Sequence, residues 1–195
     1  MNFKQAFSLR HRPAYDYYLQ FFYESLSEAQ LRNQPSEMAN SIAWCLLHIA
    51  RAEDIGINRL ASDGTQVFDE DDWPNRLNVP FRHFGIGMSS NEVAKLSHTI
   101  NIPALREYHQ LVAQCTARVL ENYPVVHFDQ VVDDERLHKV LVEEGAVRGR
   151  EVANVFNSYR DMTRGWILMH LGLTHTFQHI GEAMTIASLL GVQRT

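Results

Sequence analysis

The stretch TRGWILMHLGLTHTFQHIGEAMTIASLLG, residues 163–191, reads as one long helix. No proline interrupts it, its β-branched residues are scattered, and its glycines stand alone until Gly191. Four helical residues advance about 400°, so His175 and His179 stand one above the other, and Glu182 falls about 20° from His175 two turns on. Leu168, Leu171, Ala183 and Ile186 continue the same face as an apolar stripe that should point at a core. His170 lies about 140° around the helix from His175 and is expected to be excluded from that face.

Two imidazoles four residues apart can share an ion, each giving one nitrogen about 2.0–2.1 Å from a zinc-sized metal. The chain has ten histidines, so such a pair also arises without a metal. Either way, rings on a buried face need partners. An ion supplies them, or a pair of buried hydrogen bonds does.

A third imidazole is sought elsewhere. The segment SIAWCLLHIARAEDIGINRLA, residues 41–61, starts apolar all round and turns amphipathic after Ala50, where Arg51, Glu53, Asp54 and Arg59 appear. Asn40 or Ser41 can cap this helix, and its first half should be deeply buried. His48 sits there with Trp44, Cys45, Ala52 and Ile55, the histidine outside the last helix with the most core-like surroundings. Three neutral imidazoles, His48, His175 and His179, would leave a coordination position open, as catalytic metals do. Glu182 is placed to steady a ligand or act as a base.

Two more helices complete the set. Residues 13–30 carry Tyr15, Tyr18, Leu19, Phe22 and Leu26 on one side, with Pro13 near the first position. Residues 103–123 carry Leu105, Tyr108, Leu111, Val112, Cys115, Val119 and Leu120 as a stripe, and Pro124 ends the helix. Between them, residues 62–102 are acidic and rich in proline and glycine, with a short helix expected after Ser89 or Ser90. The aromatics Trp73, Phe81 and Phe84 suggest a loop packed down over something. His83 and His98 read as solvent or loop histidines. In 125–162, VVHFDQVV suggests a short extended segment, DDERLHKVLVEEGA a helix ending near Gly145, and REVANVFNSYRDM a further turn or two. Asp161 or Thr163 can cap the last helix.

Four long helices with long connections describe an all-α, four-helix bundle in a single domain, 1–195. A net charge of −5 without any dense Lys/Arg stripe argues against nucleic acid. The longest apolar run, Ile42–Leu47, is far short of a membrane span, and the first residues lack a secretory pattern, so a cytoplasmic protein is expected. Cys45 and Cys115 both lie in apolar helical patterns and read as small buried hydrophobes rather than a disulfide.

With His48 on a buried second helix and His175-x-x-x-His179-x-Gly181-Glu182 on the last, the chain resembles the DinB-like superfamily, whose members include bacillithiol- and mycothiol-dependent transferases and maleylpyruvate isomerases. The resemblance covers most of the chain in its order of helices, though not the long segments 62–102 and 125–162. It implies an up-down-down-up four-helix bundle with a divalent ion, zinc or nickel, on His48, His175 and His179. It further implies an enzyme in which the ion activates a low-molecular-weight thiol or a water toward a small-molecule substrate. Arg82, Arg148 and Arg150 are candidate anchors if that substrate is acidic. The alternative is a non-enzymatic metal- or ligand-binding stress-response module. A homodimer formed through an exposed helix face is expected, with no membrane partner.

Overall fold

The computed structural model describes residues 1–192 of the 195, the last three lying outside the described residues. Among the described residues, nine helices follow in chain order: α1 (3–25), α2 (Glu28–Arg32), α3 (42–61), α4 (Trp73–Leu77), α5 (Ser90–Thr99), α6 (Ile102–Asn122), α7 (134–143), α8 (Glu151–Tyr159) and α9 (164–189). Short 3₁₀ turns accompany them at Val67–Asp69 and Val125–His127, and the described residues contain no strand.

The four long helices, α1, α3, α6 and α9, form the bundle, and their pairing fixes its direction. His109 on α6 meets Leu46, and Thr116 meets Glu53, so α3 and α6 run parallel. Lys4 reaches Glu121 while Arg106 reaches Glu24, so α1 and α6 run antiparallel. Phe7 lies against Gly172 and Tyr18 against Phe177, so α1 and α9 are parallel. The order is therefore up, down, down, up. A parallel step from α3 to α6 requires the chain to travel back the length of the bundle, which is what residues 62–101 do with α4 and α5.

α1 begins ten residues before Pro13. An Asn2–Gln5 capping box opens it at Phe3, each side chain bonding the other residue's backbone N–H. Pro13 sits inside this helix, where it cannot donate a backbone hydrogen bond, and a π-turn over Ala14–Leu19 follows directly. The aromatic face is as expected: Leu19, Phe22 and Leu26 are buried, with Tyr15 and Tyr18 packed against them.

α3 runs through the middle of the molecule. Ser41 caps it by accepting from the Trp44 N–H. It does not become amphipathic after Ala50. Arg51, Glu53, Asp54 and Asn58 are all buried, and burial of charge is tolerated because each is partnered. Asp54 accepts from Tyr108 (2.5 Å), Asn58 (2.8 Å) and the backbone N–H groups of Val67 and Phe68 (2.9 and 3.0 Å). Arg51 donates to Tyr108, Gln66 and the Arg82 carbonyl. Glu53 accepts from His11, Tyr15 and Thr116, at 2.7, 2.6 and 2.6 Å.

The connections also depart from the expectation in places. α5 opens on a Ser89–Glu92 capping box, as its sequence suggests. Trp73, Phe68 and Phe84 are buried in the cores. His83 is buried too, stacked 4.1 Å from Phe81 and accepting from the Gly85 N–H, while His98 is exposed. Residues VVHFDQVV turn rather than extend, and strand-like pairing among the described residues is confined to an isolated bridge from Val131 to Thr163. Thr163, rather than Asp161, caps α9.

Candidate metal centre

His48 comes from α3, and His175 and His179 come from α9, which packs antiparallel along it. The three rings stand in a near-equilateral triangle, with centroids 4.7, 4.4 and 4.6 Å apart. One ligand atom from each lies within 4.8 Å of the others. The pairing predicted by the i, i+4 spacing and the third residue predicted by burial therefore converge.

The tautomers follow from the partners. His48 Nδ1 lies 2.5 Å from the Phe84 carbonyl, which can only accept, so Nδ1 carries the proton and Nε2 keeps its lone pair. His179 Nδ1 lies 2.7 Å from Glu182 Oε2, with the same consequence for its Nε2. Glu182 Oε1 in turn accepts from Asn40 at 2.8 Å. The hydrogen bond from His179, with that from Asn40, holds the Glu182 carboxyl below its usual range against the opposing effect of burial. The buried Nδ1 of His175 has no hydrogen-bond partner among the described residues. An orphaned imidazole nitrogen inside a protein fits a group that a bound ion or water would satisfy.

Burial, followed by repulsion from His179, pushes His48 down to about 3, and burial with both neighbouring rings pushes His175 well below its ordinary value. Both rings are neutral at physiological pH. That is the form that binds a metal. Trp44 walls one side, stacked on His48 at 4.5 Å and edge-on to His179 at 6.0 Å. Over Trp44 lies the loop of Phe84 and Gly85. At Gly85 φ is +101°, and a Cβ would stand 3.2 Å from the indole nitrogen, so the loop needs glycine there to come this close.

The last helix is not uniform. His170–Thr174 form a π-turn, in which the His175 N–H bonds the His170 carbonyl five residues back. In an α-helix five residues would set the two rings on different faces; the wider turn brings their centroids to 6.0 Å. His170 still stays outside the triad, stacked on Trp166 at 4.5 Å.

Of the three arginines, Arg148 clamps Glu92 (2.6 and 2.7 Å) and the Gly87 carbonyl, and Arg82 bonds Asp69 and the Glu144 carbonyl. Both are engaged in holding the 62–102 segment. Arg150 is exposed beside Glu151. Sequence reasoning missed Asn40 as more than a possible cap, and read Phe84 only as a packing aromatic rather than as the partner of His48, since a backbone carbonyl leaves no mark on residue type.

Comparison with known proteins agrees with the geometry. No curated protein matches the chain. A crystal structure titled as a conserved protein of a locus from Enterococcus faecalis shares the fold, with a TM-score of 0.72 at 17% identity, covering 98% of this chain and 99% of that one. The DinB superfamily pattern matches residues 14–183, which span α1 to the middle of α9 and include all three histidines. By its helices, its histidines and this match, the chain belongs to the DinB superfamily.

Proposed function

We propose that the chain is a divalent-metal-dependent enzyme in which His48, His175 and His179 hold zinc or nickel, and in which a low-molecular-weight thiol or a water is activated for transfer to, or hydrolysis of, a small substrate. The observation that carries this reading is the incompleteness of the triad: three imidazole rings converge, and one buried nitrogen has no partner in the described residues. Membership of the DinB superfamily supports it. When bound, the ion supplies positive charge that makes an adjacent thiol or water a nucleophile at neutral pH. The chain's own groups aim and shield. The Phe84 carbonyl and Glu182 hold two rings with Nε2 free, Asn40 holds Glu182, and Trp44 with the Phe84 loop keeps water from the His48 side. Glu182, whose two oxygens are engaged by His179 and Asn40, acts as a positioning residue rather than the base.

Elemental analysis of untagged protein tests the ion: close to one equivalent in wild type, and none in His48→Ala or His179→Ala. A panel of low-molecular-weight thiols with a chromogenic electrophile then tests the chemistry on loaded protein. Metal without turnover would move the reading to a binding module. Glu182→Gln should weaken metal affinity by about 10–100-fold. Unchanged affinity with lost turnover would instead make Glu182 the base.

A further inference from the structure

Cys45 lies one helical turn before His48 on α3 and is fully buried. Its thiol stands near the Glu182 carboxylate, and burial together with that negative charge pushes its pKa well up. The ligand atoms of Cys45, His179 and Glu182 all fall within 4.8 Å of one another, as those of the imidazole triad do. The two groups share only His179. They differ in chemistry: one offers three imidazole nitrogens, the other a sulfur, a nitrogen and a carboxylate oxygen. Thiolate sulfur selects soft ions, and Cys, His and acidic side chains together make a familiar ligand set for d¹⁰ cations.

The shared ring shows how the two relate. His179 Nδ1 faces Glu182 at 2.7 Å, which leaves Nε2 to the triad. The two nitrogens of an imidazole diverge, and a neutral ring has one lone pair to give. An ion among Cys45, Glu182 and His179 therefore competes with an ion at the triad for this ring.

We propose that Cys45, His179 and Glu182 form a second ion site, overlapping the first through His179, that takes thiophilic d¹⁰ cations such as Cd²⁺ or Cu⁺. On filling, the Cys45 S–H bond and the His179 Nδ1–H bond break, the thiol proton passing to water and the ring proton being replaced by one on Nε2, while sulfur–metal and Nδ1–metal bonds form with no change of oxidation state. Glu182 then serves as a ligand instead of orienting His179, and Asn40 remains a donor to its other oxygen. The site goes beyond the proposed function, because it needs neither His48 nor His175.

The test is a titration of chelator-treated, untagged full-length protein with Cd²⁺ alone, read by the thiolate-to-cadmium charge-transfer absorption in the ultraviolet. Wild type should develop the band at one equivalent, and His48→Ala and Cys115→Ser should keep it. Cys45→Ser should lose it while its circular dichroism stays that of wild type, and Glu182→Gln, which leaves the thiol in place, should need at least about tenfold more cadmium. A wild type without the band at saturation overturns the proposal. So does a band that survives in Cys45→Ser, which would belong to Cys115, or one lost in His48→Ala, which would mean one ion shared with the triad. Because the two sites compete for His179, a triad that takes cadmium raises the amount needed for the band in wild type above that in His48→Ala, whereas an empty triad leaves the two alike.

Discussion

Helix α3 carries two buried polar clusters one turn apart, and they differ in one respect. Around Arg51, Glu53 and Asp54 the carboxylates are met by several donors each, from α1, α6 and the start of the 62–102 segment. Around His48 the rings are met on one side only: the Nδ1 atoms of His48 and His179 are held, Nε2 is spare, and His175 Nδ1 has no partner among the described residues. The carboxylates of the first cluster are met by the fold, and among the described residues the buried Arg51 Nε is its one orphaned atom. The second gathers three imidazole ligand atoms at one point. Both contain ionisable side chains at similar depth and one buried nitrogen without a partner, so neither burial nor an orphaned atom alone separates them; the convergence of three imidazole ligand atoms does.

The sharpest way to break this contrast is to damage the finished cluster. Asp54→Ala would strand the Arg51 guanidinium, which is buried and bonds Tyr108 and Gln66 beside it, and should cost about 3–5 kcal/mol in urea denaturation, whether or not metal is present. A loss below about 1 kcal/mol would mean the network contributes little. The unfinished cluster should respond to ligand instead. With zinc at about a hundredfold its dissociation constant, wild type should gain about 2.7 kcal/mol of stability, and His48→Ala should gain clearly less. Equal gains would place the ion elsewhere.

A third prediction concerns pH. His109 belongs with the finished groups, since it takes the Tyr23 hydroxyl on Nδ1 and donates from Nε2 to the Leu46 carbonyl. Burial pushes it down to about 4. The unfolded chain therefore takes up this proton near its ordinary value of about 6.5 and the folded chain only near 4, so stability is lost as pH falls through that window, by up to about 1.4 kcal/mol per pH unit. His109→Gln should remove that share of the slope in metal-free protein. An unchanged slope would show that other groups carry the acid sensitivity.

These same clusters show what a sequence discloses. His175, His179 and His48 were legible because helical spacing and an apolar context are written in neighbouring residues. The bundle was legible for the same reason, from the stripes of α1, α6 and α9. The continued burial of α3 past Ala50 was not, because Arg51, Glu53 and Asp54 look like a solvent face until Tyr108, Thr116, His11 and the 67–68 backbone arrive from distant parts of the chain. Pro13 misled in the opposite way: it usually opens a helix, but here the Asn2 cap had already done so. Phe84 reaches the site through a carbonyl, which every residue has.

The π-turn at His170–Thr174 gives the last helix a property that an unbroken α-helix lacks. It holds one more residue than a regular turn needs, so it acts as a spacer between two gear wheels on one shaft. Taking one residue out would let an ordinary helix close through the gap and turn Arg164–Met169 by about 100° against the half that bears His175 and His179. Either Trp166 and Ile167 would keep their seats or the histidines would. A lineage could thus gain or lose the histidine triad by the insertion or deletion of a single codon, without altering any of its three histidines.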